Sequence, residues 1–345
     1  MTDPGRPVSR PECPAKPADR RPRLLGVGLA CLDYLFLSPW AERGGQAQVR
    51  DHVVCGGGLI GTAIAAAARL GGETAIWSWV GEDDEGQQVI AGLQAEGVDT
   101  SAVEVIPQGR TPVSFVHVQE GTGERTIYHR PRLEVPPERM RAAAERPFSC
   151  DVMLVDAIWP QASRFAAQRA REMGIPVVGD FCPEGEGADL ARFVSHLIVP
   201  RACAELLAPG ATREEQLRRL TELGPEFVAI TAGADGCWFM AGVWLGPKDR
   251  HPGRQGRPRD PRPPHGAIAH QPSFPVHVVD TTGAGDVFHG AFAYALARRW
   301  PTERCVEFAS AVAALSCRAL GGRAGIPRLD EVERFLGKDT PTLSF

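Results

Sequence analysis

At 345 residues, with 43% apolar and 23% charged side chains, the chain suits one large α/β domain or two smaller ones able to bury a core. A formal net charge of −4 gives no reason to expect nucleic acid or an anionic membrane as a partner. No run of about 18 apolar residues is present to cross a bilayer, and residues 1–22 lack the apolar stretch of a secretory signal, so the expected location is cytoplasmic.

Residues 1–22 carry Pro4, Pro7, Pro11, Pro14, Pro17 and Pro22 among charges. Such a stretch cannot bury enough surface to offset its ordering entropy, which predicts a disordered tail before a folded domain over 23–345. Strands are expected at 23–30, 74–80, 151–156, 175–180, 195–199 and 226–231, with helices at 61–70, 85–96, 161–173, 187–193 and 213–223. That alternation predicts an α/β fold, a mainly parallel sheet covered by helices on both faces. Residues 35–55 and 110–130 instead alternate as strands around Gly44-Gly45 and Gly121–Gly123, which predicts a small β-sheet appended as a lid. The Pro-, Arg- and Gly-rich stretch 245–266 predicts a mobile basic loop; without interleaved aromatics it does not point to single-stranded nucleic acid. Nine cysteines run from Cys13 to Cys317 with no C-x-x-C pair, which predicts reduced, mostly buried thiols.

The stretch 276–299, VHVVDTTGAGDVFHGAFAYALARR, carries the chemistry. A β-branched run ends at Asp280, a Thr-Thr-Gly-Ala-Gly turn follows, and an Ala-rich helix is expected to begin around Asp286. Glycines let the backbone approach a ligand. The first amides of a helix have no intrahelical partner, so Gly283, Ala284 and Gly285 suit a phosphate in transfer. Asp286 adds a carboxylate able to take the proton of an attacking hydroxyl, and the helix end favours its ionised form. A first-turn acid is also a common structural feature; the small residues before it tip the reading to a catalytic base.

Other motifs drop out. Gly26-Val27-Gly28 is an incomplete dinucleotide fingerprint, since Cys31 stands where its last glycine belongs. No G-x-x-x-x-G-K-[ST], H-E-x-x-H or G-x-S-x-G is present.

DTTGAGD followed by F-H-G-A-F resembles the C-terminal signature of the PfkB (ribokinase-like) sugar kinases. GGGLIGTAIAAAARLGG (56–72) resembles their N-terminal signature, VGEDDEGQQVIAGLQAEGVDT (80–100) the segment after their second strand, and TAGADG (231–236) their nucleotide loop. DTTGAGDVFHGAF and GGRAGIP (321–327) look most similar to kinases of 6-deoxy-6-sulfofructose. The resemblance implies a ribokinase-like fold, ATP and Mg2+ as cofactors, and transfer of the γ-phosphoryl group to a primary hydroxyl of a ketose-like sugar. Asp33, closing the first strand, and Gly57 and Gly58 match the positions that hold the sugar, with Thr62 where many members have Asn. His129 and Arg130, with Arg125 and Arg132, are candidates for a polar sugar tail. Gln46 and Ile158 stand where basic residues would meet a sulfonate. Thr231, Gly233 and Gly236 match the nucleotide loop, and Cys317 and Gly322 the adenine pocket. The family's N-x-x-E is replaced by Pro200-Arg201-Ala202-Cys203, so no side chain is expected to ligate the metal and Mg2+ is carried on nucleotide oxygens and water. Asp280 and Thr282 fall near the monovalent-cation site of some members, which leaves K+ use open. Family likeness also implies a homodimer through the lid. Two alternatives stand beside this reading: a nucleoside kinase, which needs an aromatic platform where the lid offers only sparse aromatics (Phe36, Trp40, Phe115 and Tyr128), and a non-catalytic sugar sensor.

Overall fold

The computed structural model describes residues 20–41, 44–241 and 266–339. The expected tail up to residue 19 and the expected basic loop up to residue 265 lie outside the described residues. In chain order the elements are β1 (Arg23–Val27), β2 (Cys31–Ser38), β3 (Asp51–Gly57), α1 (Leu59–Arg69), β4 (Glu73–Gly81), α2 (Asp84–Ala95), β5 (Val103–Ile106), β6 (Val113–Gln119) and β7 (Arg125–His129). There follow α3 (Pro137–Glu145), β8 (Val152–Asp156), α4 (Pro160–Glu172), β9 (Val177–Asp180), α5 (Glu186–Ala191), β10 (His196–Pro200) and α6 (Arg201–Leu207). Then come α7 (Arg213–Glu222), β11 (Phe227–Thr231), β12 (Cys237–Ala241), β13 (Ile268–Gln271), α8 (Ala284–Ala297), α9 (Thr302–Ser316) and α10 (Leu329–Asp339).

Nine strands form the main sheet in the order β13-β12-β11-β10-β9-β8-β1-β4-β5. It is parallel except for β12 and β13 at one edge. β8 and β9 are buried along their whole length, as strands covered on both faces must be. Leu24, Leu154 and Val178 pack into the layer that holds α1, α8 and α9, while Leu25, Met153 and Val177 pack into the layer that holds α4 and α7. Neighbours thus alternate between two cores with the period of a strand. Small residues bring α1 against α8: a side chain at Gly290 would collide with the Ala63 carbonyl.

A separate sheet, β3-β2-β6-β7, forms the expected lid, spanning 31–57 and 113–129. The ribokinase-like architecture expected from the sequence is therefore present. Four details differ. First, strand β1 stops at Val27, and Asp33 lies inside lid strand β2 instead of closing the first strand. Gly28, just past the end of β1, has no room for a side chain beside the buried Asp156 carboxylate. Second, the β-branched run 276–280 is no strand; the amides of Val279 and Asp280 both donate to the Cys317 carbonyl, at 2.8 and 3.2 Å. Third, β5, β12 and β13 were not expected; β5 and β13 are only four residues long and sit at the sheet edges, where the apolar signal is weakest. Fourth, Cys182 and Cys203 form a disulfide, against the expectation of reduced thiols. β9 and β10 are adjacent parallel strands, so residues just past their ends come to a Cα separation of 5.6 Å. Cys31, Cys55, Cys150, Cys237, Cys305 and Cys317 remain free.

Candidate active site

The C-terminal ends of parallel strands converge on one rim, the usual place for a ligand in such sheets. Asp156 ends β8, Asp180 ends β9, Thr231 ends β11, and the start of α8 meets the same rim. Gly283 caps α8 with φ 73°, a left-handed conformation that glycine adopts without strain. A side chain there would also press on Gly322 at 3.0 Å. The amides of Gly285 and Asp286 have no hydrogen-bond partner among the described residues, whereas Ala284 N donates to Thr281 O at 3.2 Å. Space in front of Gly285 is open. The turn is braced from beneath: Asp280 is buried, and its carboxylate accepts from Thr282 N (2.8 Å), Thr282 Oγ1 (2.7 Å) and Gly321 N (2.8 Å). An unsatisfied pair of helix-end amides on a fixed turn is a site for an anion.

Asp286 sits at that helix start, half-buried, with other acids around it. Burial and the charge of Asp180, with a smaller push from Asp33, hold its carboxyl well above the ordinary carboxylate range, against the pull of His289 and Arg125. This corrects the expectation that the helix end keeps it ionised. A helix end is worth about 1 kcal/mol or less, whereas burial moves a carboxyl by several times that. A raised carboxyl is the stronger base for an alcohol proton.

Behind it lies a buried polar layer. His289, one turn along α8, places Nδ1 2.7 Å from Gly285 O and 3.3 Å from Asp180 Oδ2, and Nε2 3.1 Å from Ile198 O. Burial lowers the imidazole pKa, while its contacts to Gly285 and Ile198 and the charge of Asp286 pull it back up. Asp180 is raised to about 7 by burial. Asp156 is likewise raised to about 7 by burial, although its oxygens accept from Leu29 N (2.7 Å) and Ile158 N (2.9 Å).

Across the rim stands the polar face of the lid. Asp33 is buried, accepts from Cys31 Sγ at 3.2 Å, and lies so close over Gly57 that a side chain there would strike its carboxylate. Gly58 has φ 85°, and a Cβ there would meet Leu29 O at 2.6 Å. Thr62 is buried in the first turn of α1, and its methyl is the side-chain neighbour a Cβ on Gly283 would meet, at 3.4 Å. Thr62 therefore adjoins the anion turn, while Asp33 lies against Gly57 and Gly58 caps the same helix. His129 joins this face through Ser114, Nδ1 to Oγ 3.3 Å, with its charge felt at Asp33. Arg130 does not; it donates to Thr111 O (2.9 Å) and Glu85 (3.1 Å) and ties the lid to α2. Arg125 reaches from the lid to Thr281 Oγ1 at 2.6 Å, so the lid lies closed on the turn.

On the nucleotide side, Gly233 is exposed at φ 57° in a tight turn, and Gly236 has φ 84° with no room for a side chain beside Gln271 O. Thr231 ends β11 with its hydroxyl toward Val199 O. Arg201 pairs with Asp235 of this loop. Cys203, where the family's Glu would stand, is held in the disulfide. The Cys317 thiol is buried and donates back to Ala313 O at 3.3 Å, so it serves the end of α9. Gly322 faces Gly283 rather than the 231–236 loop.

Five residues of this site were not singled out from the sequence: Ser114, Asp156, Asp180, His289 and Arg323. Asp180 and His289 are lone polar residues in apolar runs, and Arg323 lay in view within GGRAGIP without a partner to explain it.

Residues 22–329 match the pfkB family carbohydrate kinases. The chain is 28% identical to the ribokinase of Bacillus subtilis (strain 168) over 319 residues, covering 90% of this chain and 98% of that protein. It is 27% identical to the ATP-dependent ribose-1-phosphate kinase of Halopiger xanaduensis over 300 residues, 86% of this chain and 92% of that protein. The Arabidopsis thaliana ribokinase complexed with ribose and ATP shares the fold, with a TM-score of 0.70, 22% identity, and 92% and 99% of the two chains covered. With the match spanning most of its length, this chain belongs to the pfkB family of carbohydrate kinases.

Proposed function

We propose that this kinase moves the γ-phosphoryl group of ATP to a primary hydroxyl of a ketose-like sugar or a close derivative, 6-deoxy-6-sulfofructose among the candidates. One observation carries the reading: Asp33 lies against Gly57 just before α1, and Thr62 in the first turn of that helix lies beside the turn that presents free amides next to Asp286. Asp33 accepts sugar hydroxyl protons, Asp286 takes the proton of the attacking hydroxyl, and the amides of Gly285 and Asp286 hold the charge that spreads over the phosphoryl oxygens. Arg125 adds a cation from the closed lid, which also keeps water from competing as acceptor. The turn fits a nucleotide phosphate. Mg2+ would be carried by that nucleotide, with phosphate oxygens and water as its ligands. Asp280 accepts three hydrogen bonds from the turn and from Gly321, so its first role is to brace the turn, and use of K+ is decided by assaying the kinase with and without that ion.

A specific observation weighs against a nucleoside acceptor. Phe115 stacks on Tyr34 and Phe36 on His117, and these alternate along β2 and β6 with Asp33 and Ser114, so the aromatic rings face away from the sugar side. For a sulfonate, Ile158 is not basic, but the Arg132 guanidinium donates to its carbonyl and places a cation there. The panel that tests this offers ketoses, ribose, sulfofructose and nucleosides with ATP and Mg2+ and reads products by mass spectrometry. A phosphorylated ketose-like sugar is the expected product; nucleoside monophosphates alone would overturn the reading, and no product with any acceptor would leave the sensor.

The outward lid face supports the dimer. Val54, Tyr34, Phe115 and Tyr128 stand side by side across β3-β2-β6-β7, and Val54, Phe115 and Tyr128 are 45%, 45% and 60% exposed. Size-exclusion chromatography with light scattering should give a dimer, and Tyr128→Asp a monomer. A monomeric wild type would dismiss the pairing.

A further inference from the structure

The GGRAGIP segment holds a buried guanidinium that neither the anion turn nor the base uses. Arg323 is 5% exposed, and its Nη2 donates to Gly57 O at 2.9 Å. Two glycines make its berth: a side chain at Gly56 would collide with Nη1, and one at Gly61 would come within 2.7 Å of Nη2. Nε has no partner among the described residues. Its backbone is fixed from outside, because Arg69 donates to the carbonyls of Arg323 (2.6 Å) and Ile326 (3.2 Å). The carboxylates its charge acts on are Asp33 and Glu96, and Glu96 is already paired with Arg69. Asp33 is therefore the acid left to balance it.

From this arrangement we infer that Arg323 is a positioning residue for acceptor binding: it pins the Gly57 carbonyl and supplies the buried counter-charge that keeps Asp33 turned to the sugar hydroxyls. Asp33 lies directly over Gly57, so one carbonyl separates the guanidinium from the carboxylate's support. The same segment reaches the phosphate side, where Gly321 N holds Asp280 and Gly322 packs on Gly283. One short strap thus sets the distance between the sugar clamp and the anion turn.

Asp33 is also faced by Cys31 on its own strand, Cys55 on β3, Ser114 on β6, His129 on β7 and, across the rim, Asp286 on α8. Burial raises the Asp33 carboxyl; Cys31, Ser114, Arg323 and His129 each pull it down. Removing the guanidinium therefore moves the Asp33 midpoint upward, and sugar binding is lost from the acid side at a higher pH than in the wild type.

This role rests on Asp33 holding the sugar, and the test separates the two ideas. The Asp33 carboxyl is titrated by 13C NMR in the nucleotide-free wild type, in Arg323→Met, Arg323→Lys and Gly56→Ala, with Asp33→Asn assigning the signal. In Arg323→Met the midpoint should rise, and sugar KM should increase about tenfold with kcat within about twofold. Arg323→Lys should recover part of both. Gly56→Ala puts a methyl where the guanidinium lies and crowds it out of its berth, so it should reproduce the change if Arg323→Met does not fold, with a melting curve to show that the variant stays folded. An Asp33 titration that matches the wild type in the folded variant overturns the inference. Absent sugar-dependent ATP turnover in the wild type would sink the kinase reading instead, and the titration would still decide what Arg323 does to Asp33.

Discussion

Asp286→Asn should lower kcat by roughly 100- to 10,000-fold while ATP and sugar still bind nearly as in the wild type. The amide keeps the shape of the carboxyl but cannot take a proton. The anion turn, which does not depend on that side chain, stays in place and supports the residual rate. In the wild type, kcat should climb with pH through the Asp286 pKa, because only the ionised carboxylate is a base and burial beside Asp180 has raised that pKa. The sign follows directly: acid protonates Asp286 and removes activity, so the acid limb lies above the usual carboxylate range and disappears in the Asn variant. Single-turnover ADP release across pH measures both. A variant with wild-type rates would remove Asp286 from its role.

Asp33→Ala is expected to act on the other half of the reaction. A carboxylate accepting two sugar hydroxyls contributes about 1.5–3 kcal/mol per hydrogen bond, so kcat/KM for the sugar should drop by roughly 100- to 10,000-fold. Most of that loss should appear in KM for the sugar, with KM for ATP little changed, since Asp33 lies on the lid and the nucleotide loop on the main sheet. Leaving the Arg323 guanidinium without its balancing acid destabilises the fold as well, so a melting curve accompanies the kinetics. Equal losses for both substrates would argue that Asp33 holds the lid rather than the acceptor.

Taken together, the two substitutions separate catalysis from recognition across the few ångströms between Gly283 and Thr62. The buried acids behind α8 give this division a physical basis. Asp180 makes Asp286 a stronger base without touching the acceptor. Asp33, Ser114 and His129 stand together on the lid face, apart from the start of α8.

By itself the sequence determined the local elements whose signals are local. Alternating apolar runs marked the parallel strands, Gly283–Gly285 marked the anion turn, and Asp286 could be placed at a helix start from its neighbours alone. Only the tertiary structure decided what long-range packing controls. It moved Asp33 from a strand end to lid strand β2, which pairs with β3 and β6 instead of the main sheet. It joined Cys182 to Cys203, because that pairing depends on β9 and β10 being neighbours. It also raised the Asp286 carboxyl above the range its helix end alone would give and brought the Arg323 guanidinium to the Gly57 carbonyl. A pKa answers to every charge and every water excluded within several ångströms, and the groups that set it here, Asp180, Asp33, Arg125 and His289, come from four different parts of the fold.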